Sequence, residues 1–385
     1  MPPGCRMARH DCLLLCVALF LCAGLQGCGY QQPPWTFSPF SPAYEPIETN
    51  ATEADNVTAL IRTTPAIYMN QVHFGSEDGW LYALYIQNGS LVWRFETGGP
   101  VRSSPVTDHV AGNVLFGSDD GKFYAVKPRG GVKVWEVDTG APVRTTAAEN
   151  AELGLIFFGS NNGFVYAVKV RDGVEVWNYD VGSPIQCSPS KNRDLVYFGS
   201  DDGRVFSFRA LSGKVVWQFN SFSRIRSALA VYYDRVFFGA DDGVVYAIDE
   251  VDGSKLWEFV TEAPVRFAIT RFRGFVYFGN DAGMFYALED EDGSVVFSYK
   301  IGGRVRSQRP AAIHSGNVTF GSDNGLVVSL SDLTGEKAWD WEAAGPIVAS
   351  PTWHDNRLYF GADLLYSIRA DGTQEALAAE QGVEG

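Results

Sequence analysis

Cysteine is almost absent from the main part of this chain. Five of the six cysteines fall within the first 28 residues, which leaves Cys187 as the only later one. This distribution excludes an intramolecular disulfide framework and a cysteine-based zinc site beyond residue 28. Because Cys187 has apolar neighbours in a predicted strand, we interpret it as a buried structural thiol.

Recognisable catalytic motifs are also lacking. The sequence has no Gly-x-Ser-x-Gly elbow, no His-Glu-x-x-His pair and no phosphate-binding glycine loop. Its five histidines are scattered, and no two of them have metal-ligand spacing. We therefore predict a protein that is not an enzyme, with no catalytic residue, no metal site and no cofactor.

Positive charge is in deficit. The chain has 31 Lys and Arg against 45 Asp and Glu, for a net charge of −14. This excess of acid opposes non-specific binding to DNA or to an anionic membrane face. We predict no nucleic-acid partner. Charged residues are only 20% of the chain and aromatic residues are 14%, a composition typical of a packed globular protein.

What the chain does contain is a repeat. A strand-like segment ends in Phe-Gly eight times, at spacings of 40 or 42 residues. The repeat glycines are Gly75, Gly117, Gly159, Gly199, Gly239, Gly279, Gly321 and Gly361. A period of about 40 residues built from strands is typical of a β-propeller. The sequence therefore predicts an all-β, eight-bladed propeller of four-stranded antiparallel blades over residues 59–380, followed by a disordered tail at 381–385.

Residues 142–183 show how one blade is built. Strands are predicted at 142–147, 155–160, 164–168 and 174–179, with turns at Asn162-Gly163 and Asp172-Gly173. Asp-Gly and Asn-Gly suit hairpin turns that require positive φ. Acidic pairs recur at the same turn in other blades, but two adjacent carboxylates point apart, so we interpret these turns as structural rather than as calcium loops.

A tryptophan follows most of the repeat glycines by 18 residues. These residues are Trp93, Trp135, Trp177, Trp217, Trp257 and Trp339, and Phe297 takes the place in blade six. A glycine lies four residues before each of these aromatic residues. A large ring at one fixed place per blade can wedge against the neighbouring blade, so we predict a structural docking role.

The pattern Ala-x₅-Gly-x₃-Trp, as in Ala83 to Trp93 and Ala125 to Trp135, resembles the tryptophan-docking repeat of the pyrroloquinoline-quinone (PQQ) propeller superfamily. The resemblance covers residues 60–372. Enzymes of that superfamily have adjacent cysteines beside the cofactor, calcium ligands from loops and long insertions that cap the ring. This chain has no cysteine pair after residue 28 and its blades are minimal, so the resemblance implies the fold without the quinone.

Blade eight departs from the repeat. Its third strand follows Gly361 without the usual turn extension, and residues 373–385 are rich in Ala, Glu and Gln. We expect its outer strand to be either weak or supplied by the N-terminal segment, which would then clasp the ring shut.

The N-terminus resembles an export signal. Residues 1–27 combine basic residues with an apolar stretch of about a dozen, which predicts a signal peptide rather than a membrane-spanning helix. Leu25-Gln26-Gly27-Cys28 resembles a bacterial lipobox, which implies lipid attachment at Cys28 and, with Gly29 next, the outer membrane. The alternative is an ordinary cleaved signal. Residues 28–58 contain five prolines and are interpreted as a tether, part of which could pair with the last blade.

One column of residues is a candidate site. The predicted innermost strand of six blades carries an arginine after Val or Ile, at Arg62, Arg102, Arg144, Arg226, Arg266 and Arg306, while Gln186 and Val348 take the other two places. These side chains are predicted to ring the central channel. One interpretation is a site for an anion or an acidic partner. The other is that each arginine pairs with the adjacent blade and locks blade to blade.

The combination of lipobox, tether and eight minimal blades resembles the BamB family, the propeller lipoproteins of the outer-membrane β-barrel assembly machinery. That resemblance implies a monomeric, periplasm-facing scaffold that is attached to the membrane only by its lipid. Its partners would be envelope proteins, in particular periplasmic modules of the barrel-inserting protein. Two alternatives remain, a sensor of small anions and a quinoprotein-type enzyme.

Overall fold

The computed structural model of the chain describes residues 60–369 and the backbone of Thr36–Phe37. The predicted signal peptide, the predicted lipid-attachment residue Cys28, most of the predicted tether and the C-terminal tail lie outside these residues. The described part consists of eight four-stranded antiparallel sheets, as the repeat predicts. No helix of the described residues has the length and apolar character needed to cross a membrane.

In the first seven blades the four strands follow one another along the chain, from the innermost to the outermost. Blade one has β2 (Ala66–Tyr68), β3 (Gln71–Gly75), β4 (Trp80–Tyr85) and β5 (Leu91–Glu96); blade two has β6 (Val106–Thr107), β7 (Val114–Gly117), β8 (Lys122–Val126) and β9 (Lys133–Asp138). Blade three has β10 (Ala148–Asn150), β11 (Leu155–Gly159), β12 (Phe164–Lys169) and β13 (Glu175–Asp180); blade four has β14 (Ser190–Asn192), β15 (Leu195–Gly199), β16 (Arg204–Arg209) and β17 (Val215–Asn220). Blade five has β18 (Ala230–Tyr232), β19 (Arg235–Gly239), β20 (Val244–Asp249) and β21 (Lys255–Val260). Blade six has β22 (Thr270–Phe272), β23 (Phe275–Gly279), β24 (Met284–Glu289) and β25 (Val295–Lys300); blade seven has β26 (Ala312–His314), β27 (Asn317–Gly321), β28 (Leu326–Ser331) and β29 (Lys337–Glu342).

Blade eight is assembled from both ends of the described chain. Its inner strands are β30 (Thr352–His354), β31 (Arg357–Gly361) and β32 (Leu365–Arg369), and its outer strand is β1 (Thr36–Phe37). β1 runs antiparallel to β32. Of the two alternatives for this blade, the structure has the strand supplied by the N-terminal segment. One sheet therefore joins residues from both ends of the chain.

The innermost strands lie later in the sequence than we predicted. In blade three the predicted first strand, 142–147, is a connection, and β10 begins only at Ala148. The reason is that this segment makes other hydrogen bonds than those of a strand ladder. Val143 N–H donates to the carbonyl of Ser118 in blade two (3.0 Å), and the side-chain hydroxyl of Thr145 donates to the carbonyl of Gly159 at the end of β11 (3.0 Å). The other three strands of blade three agree with the prediction to within one or two residues.

The repeat glycines mark the places where consecutive blades approach most closely. A Cβ on Gly75 would lie 2.3 Å from Cγ1 of Val101, in the connection to blade two. The other seven glycines face a Val or Ile in the same way, and Gly361 of blade eight faces Ile61 of blade one. No other residue type fits at this position, because any Cβ would push the next blade away. The Phe-Gly repeat is therefore a blade-to-blade contact.

The tryptophans form a second contact between consecutive blades, nearer the rim. The indole N–H of Trp93 donates to the Pro128 carbonyl of blade two (2.7 Å), and its ring lies against Gly131. Trp135, Trp177, Trp217 and Trp257 make the same pair of contacts, and Phe297 lies against Gly335. Trp339 is half-buried, and the residues that follow β32 in blade eight lie outside the described residues, so its contact with that blade is not described.

One core residue couples folding to pH. His73 of β3 is completely buried, and burial lowers its pKa from 6.5 to about 4. In the unfolded chain the imidazole binds a proton below pH 6.5, whereas in the folded chain it does so only below about pH 4. Because the unfolded state then holds more protons, this histidine lowers the free energy of unfolding as pH falls through that window.

We expect His73→Phe to flatten this pH dependence. Between pH 6.5 and 4 the wild type loses about 3 kcal/mol more of its unfolding free energy than the variant, at 1.36 kcal/mol per pKa unit. Phenylalanine suits the position because Phe157 fills the equivalent place in blade three. Urea titrations at a series of pH values give the two slopes, and parallel slopes would contradict the assignment to His73.

We expect loss of β1 to destabilise the whole ring, because a blade without its outer strand exposes one edge and releases one end of the sheet. Deleting residues 30–58 should lower the Tm by several degrees. Replacing residues 41–55 by a Gly/Ser segment of equal length retains Thr36–Phe37 and serves as the control. Equal Tm values for the deletion and the control would show that β1 does not close the ring.

Candidate functional site

The six predicted arginines do converge on one place. Together with Gln186, Ser307, Gln308 and Val348 they line a cavity of about 230 Å³. They do not lie on the innermost strands, as we predicted, but in the connections that precede those strands: Arg102, for example, comes four residues before β6. Each connection crosses from the outer strand of one blade to the inner strand of the next, which carries its arginine to the axis.

Every one of these arginines has a carboxylate partner. The acid is in each case the second residue after a repeat glycine, at Glu77, Asp119, Asp201, Asp241 or Asp281. Arg144 shows the usual geometry, in which Nε and Nη2 donate to the two carboxylate oxygens of Asp119 at 2.8 and 2.9 Å. Since Asp119 belongs to blade two and Arg144 leads into blade three, this pair joins two consecutive blades. Arg102, Arg226, Arg266 and Arg306 each pair with an acid of the preceding blade in the same way, whereas Arg62 pairs with Glu77 of the blade that it leads into.

Several of the partners are shared, so the pairs form arcs around the cavity. Glu77 accepts from Arg62 and Arg102, and Arg102 also donates to Asp119. Arg226 and Asp201 form a separate pair. A second long arc runs from Asp241 through Arg266 and Asp281 to Arg306. Two of the breaks fall at neutral positions, Gln186 and Val348. Another lies between Arg226 and Asp241, which form no ion pair with each other. At the first break the acid position is neutral as well, since it holds Asn161.

The charge of the ring is therefore almost balanced. Six arginines contact five carboxylates, whose side chains are largely buried. Hydrogen bonds that the guanidinium groups donate to Glu77, Asp201 and Asp241 are the largest cause of the raised pKa of Arg102, Arg226 and Arg266, respectively. Guanidinium groups held this way have little unpaired charge to offer a free anion. This arrangement favours blade-to-blade locking over an anion site.

The sequence signature of the family described as outer membrane protein assembly factor BamB matches residues 58–189 and 161–309 of this chain. The chain belongs to the BamB family. Together the two matches run from the connection before blade one to the connection before blade seven, so the family assignment rests on the repeat and not on the N-terminal signal.

Solved structures of other proteins share the BamB-type fold at low sequence identity. BamB from Moraxella catarrhalis is 19% identical, with a TM-score of 0.66 over 79% of this chain and 93% of that chain. The computationally designed protein Ika8 is also 19% identical, with a TM-score of 0.71 over 81% and 96%. Sqt1 from Saccharomyces cerevisiae is 12% identical, with a TM-score of 0.71 over 82% and 97%. At these identities the likeness establishes the fold alone. No curated protein sequence matches the chain.

The PQQ-like repeat of the BamB family raises the question of whether a quinone and its calcium would fit. Over residues 60–369 no group of three or more His, Cys, Asp or Glu side chains has an arrangement that could hold a metal ion. Cys187 is completely buried, its Sγ lies 2.9 Å from the Ser227 carbonyl, and burial raises its pKa to about 12. It therefore cannot stand in for the paired cysteines of the quinoprotein enzymes. The described residues do not fit the cofactor.

One surface residue escaped the sequence analysis. Phe222 lies in the connection between β17 and β18, which also carries Arg226, and is 87% exposed with φ of 60°. The equivalent positions in three other connections are glycines with positive φ, Gly140, Gly182 and Gly302. A bulky residue in this conformation is strained and rare. The sequence does contain a signal, because most of the equivalent positions in the other connections hold small residues. The sequence alone does not show that the Phe222 side chain is exposed.

We expect the combined variant Arg102→Gln, Arg144→Gln and Arg266→Gln to unfold at lower temperature than the wild type. It removes the longer arcs, and partly exposed pairs of this kind contribute about 0.5–1 kcal/mol each. The matched control changes Arg129, Arg171 and Arg209, which are exposed and lie outside the ring, to Gln. Thermal melts of both variants, with binding of phosphate measured alongside, separate the two interpretations. Unchanged stability together with lost anion binding would favour the anion site.

Proposed function

We propose that this BamB-family propeller is a non-enzymatic scaffold of the bacterial envelope. It faces the periplasm, is held to the outer membrane by a lipid on Cys28, and binds a periplasmic module of the outer-membrane barrel-assembly machinery. The family description, an outer membrane protein assembly factor, supports the partner class. The mismatch between the described residues and a quinone site supports a role without catalysis.

The observation that carries this proposal is the exposed aromatic corner around Phe222. The hydroxyl of the next residue, Ser223, accepts a hydrogen bond from the backbone N–H of Asp242 (2.9 Å). That turn leads into β20, where Val244 pairs with Val260 of β21, a residue that is 66% exposed. Phe222 and Val260 therefore both lie at this corner of blades four and five, which we call the Phe222 corner. A large aromatic side chain held away from its own fold is typical of a binding hot spot.

The position of the Phe222 corner suits a scaffold. In each blade the connection to the next blade and the turn between the second and third strands lie on one face, so Phe222 shares its face with the arginine ring. The side chains of the arginine ring are held by their carboxylate partners at the centre of this face, and the Phe222 corner lies at its edge. A partner that docks here would contact an apolar anchor beside a charged but almost neutral surface, a common composition for a protein interface.

Phe222→Gly tests the docking surface directly. Glycine adopts the positive φ without strain, so we expect the Tm to stay the same or rise. Recovery of the barrel-assembly core from solubilised outer membranes should fall about tenfold or more, as expected for loss of a hot spot. Falling recovery together with retained stability separates a binding role from a folding role.

Val251→Ser is the matched control for this experiment. Val251 is 74% exposed but lies in the turn between the third and fourth strands, on the opposite face of the propeller. Its substitution should leave recovery unchanged. Equal recovery with Phe222→Gly and the wild type would reject this surface, and clean recovery of some other envelope protein by the wild type would reject the proposed partner. An absorbance change on adding quinone and calcium would instead favour the enzyme alternative.

A further inference from the structure

Blade seven contains a local insertion at the axis. In the other seven blades the inner strand begins five residues after the Val or Ile that packs on a repeat glycine, as from Val143 to Ala148. In blade seven, β26 begins at Ala312, seven residues after Val305. The extra length falls around Gln308 and Arg309, where the other connections have small or apolar residues such as Pro105 and Ala147. The repeat is thus interrupted at one place that faces the channel.

The first of these residues reaches across the channel. Gln308 lines the cavity of the arginine ring, yet its side-chain Oε1 accepts from the Ser188 hydroxyl of blade four (3.3 Å). Its Nε2 donates to the Arg226 carbonyl of the connection into blade five (3.2 Å). These contacts span 120 and 82 residues of sequence. Gln308 therefore crosses between blades and forms a floor beneath the arginine ring.

Arg309 faces a second cavity, of about 540 Å³, which we call the inner cavity. Its wall includes residues of β2, β6, β10, β14 and β30, the innermost strands of blades one to four and eight. Backbone contacts hold Arg309 in place: its N–H donates to the Ser307 hydroxyl (3.0 Å) and its carbonyl accepts from Ser350 (2.8 Å). Its guanidinium forms no ion pair with any described residue, in contrast to every arginine of the ring.

The carboxylates near the inner cavity are engaged with other groups. Glu149 accepts from the backbone N–H of His109 (2.9 Å) and from its Nδ1 (2.7 Å). Asp108 accepts backbone N–H groups of its own loop, including those of Gly112 and Asn113, both at 2.9 Å. The titratable groups that share the cavity wall are Asp108, His109, Glu149, Lys191 and His354. Neither Asp108 nor Glu149 forms an ion pair with Arg309, and both already accept several hydrogen bonds from other groups.

A second group in the same wall lacks an acceptor. The indole Nε1–H of Trp353 is buried and has no hydrogen-bond partner among the described residues. Lys191 adds a further cation to the wall. Arg309 is half-buried. A guanidinium with reduced access to solvent and no counter-charge is unfavourable, and burial lowers the pKa of Arg309 accordingly. The inner cavity thus combines enough room for a small molecule with donors that exceed the available acceptors.

We propose that the inner cavity binds a small oxyanion, a carboxylate or a phosphate, whose oxygens accept from the Arg309 guanidinium. A planar guanidinium can bind such a group through two parallel hydrogen bonds. This site is separate from the Phe222 corner and independent of the scaffold role. It also differs from the arginine ring, because Gln308 lies between the two and the ring arginines are already paired.

The test uses the purified mature chain with inorganic phosphate and with succinate as separate probes. Each is titrated by calorimetry and by thermal shift against sodium chloride of equal ionic strength. We expect one of the two anions to bind and to raise the Tm, which also distinguishes a phosphate from a carboxylate ligand. Arg309→Gln should weaken that binding about tenfold or more, since it removes the charge and the paired donors. No binding of either anion to the wild type would overturn the proposal.

Arg304→Gln is the matched control. Arg304 lies in the same connection as Arg309, but its side chain is exposed, pairs with Asp323 and does not line the inner cavity. It should bind the anion as the wild type does. If Arg309→Gln fails to fold, deletion of Gln308 and Arg309 restores the spacing of the other seven blades and should fold without binding the anion. Binding that persists in either Arg309 variant, or that is lost only when the ring arginines are changed, would also overturn the proposal.

Discussion

The fold depends on the close approach of consecutive blades at the repeat glycine. A hydrogen atom in place of a side chain lets Val or Ile of the next connection lie directly on the strand end, as at Gly75 and Val101. The hydroxyl at Thr63 then bonds to both the N–H and the carbonyl of Gly75, at 2.9 and 3.0 Å. The contact between a repeat glycine and a Val or Ile recurs eight times, and the last one places Gly361 against Ile61 of blade one. This contact therefore fixes the angle between blades and thereby their number.

Consecutive blades are joined by apolar contacts near the rim and by polar contacts at the axis. Near the rim, indole rings such as Trp217 cover the turns of the next blade and bury apolar surface that an isolated four-stranded sheet would expose. At the axis, where eight connections come close together, guanidinium–carboxylate pairs join consecutive blades instead. Pairing positive with negative groups there avoids the repulsion that an all-arginine ring would suffer in a confined channel. Six arginines and five carboxylates leave the ring with a charge near zero.

The residues to which we assign a binding role lie where the chain departs from the repeat. Phe222 replaces a small residue in one connection and puts an aromatic ring into solvent. Two extra residues in blade seven bring Gln308 and Arg309 to the axis. Blade eight borrows β1 from the N-terminal segment. The spacing before the inner strand is the same in the seven blades other than blade seven, and Gly140, Gly182 and Gly302 take the place of Phe222 in three other connections. The requirements of the repeat therefore explain neither Phe222 nor the pair Gln308 and Arg309, whereas β1 completes a sheet that would otherwise have an open edge.

The sequence alone determined the fold, because the Phe-Gly period and the tryptophan spacing are local patterns whose physical meaning does not depend on distant residues. It also identified the arginine column, since equivalent positions of a closed repeat must meet at one height around the axis. It placed those arginines on strands, wrongly, because period-2 alternation cannot distinguish a strand from an extended connection whose hydrogen bonds go to another blade. Only the tertiary structure decided that Asp119 and its counterparts neutralise the ring, that Phe222 is exposed and that Arg309 is left without a counter-charge. These are properties of pairs of residues far apart in sequence, and a linear pattern carries no information on which distant partner each side chain meets.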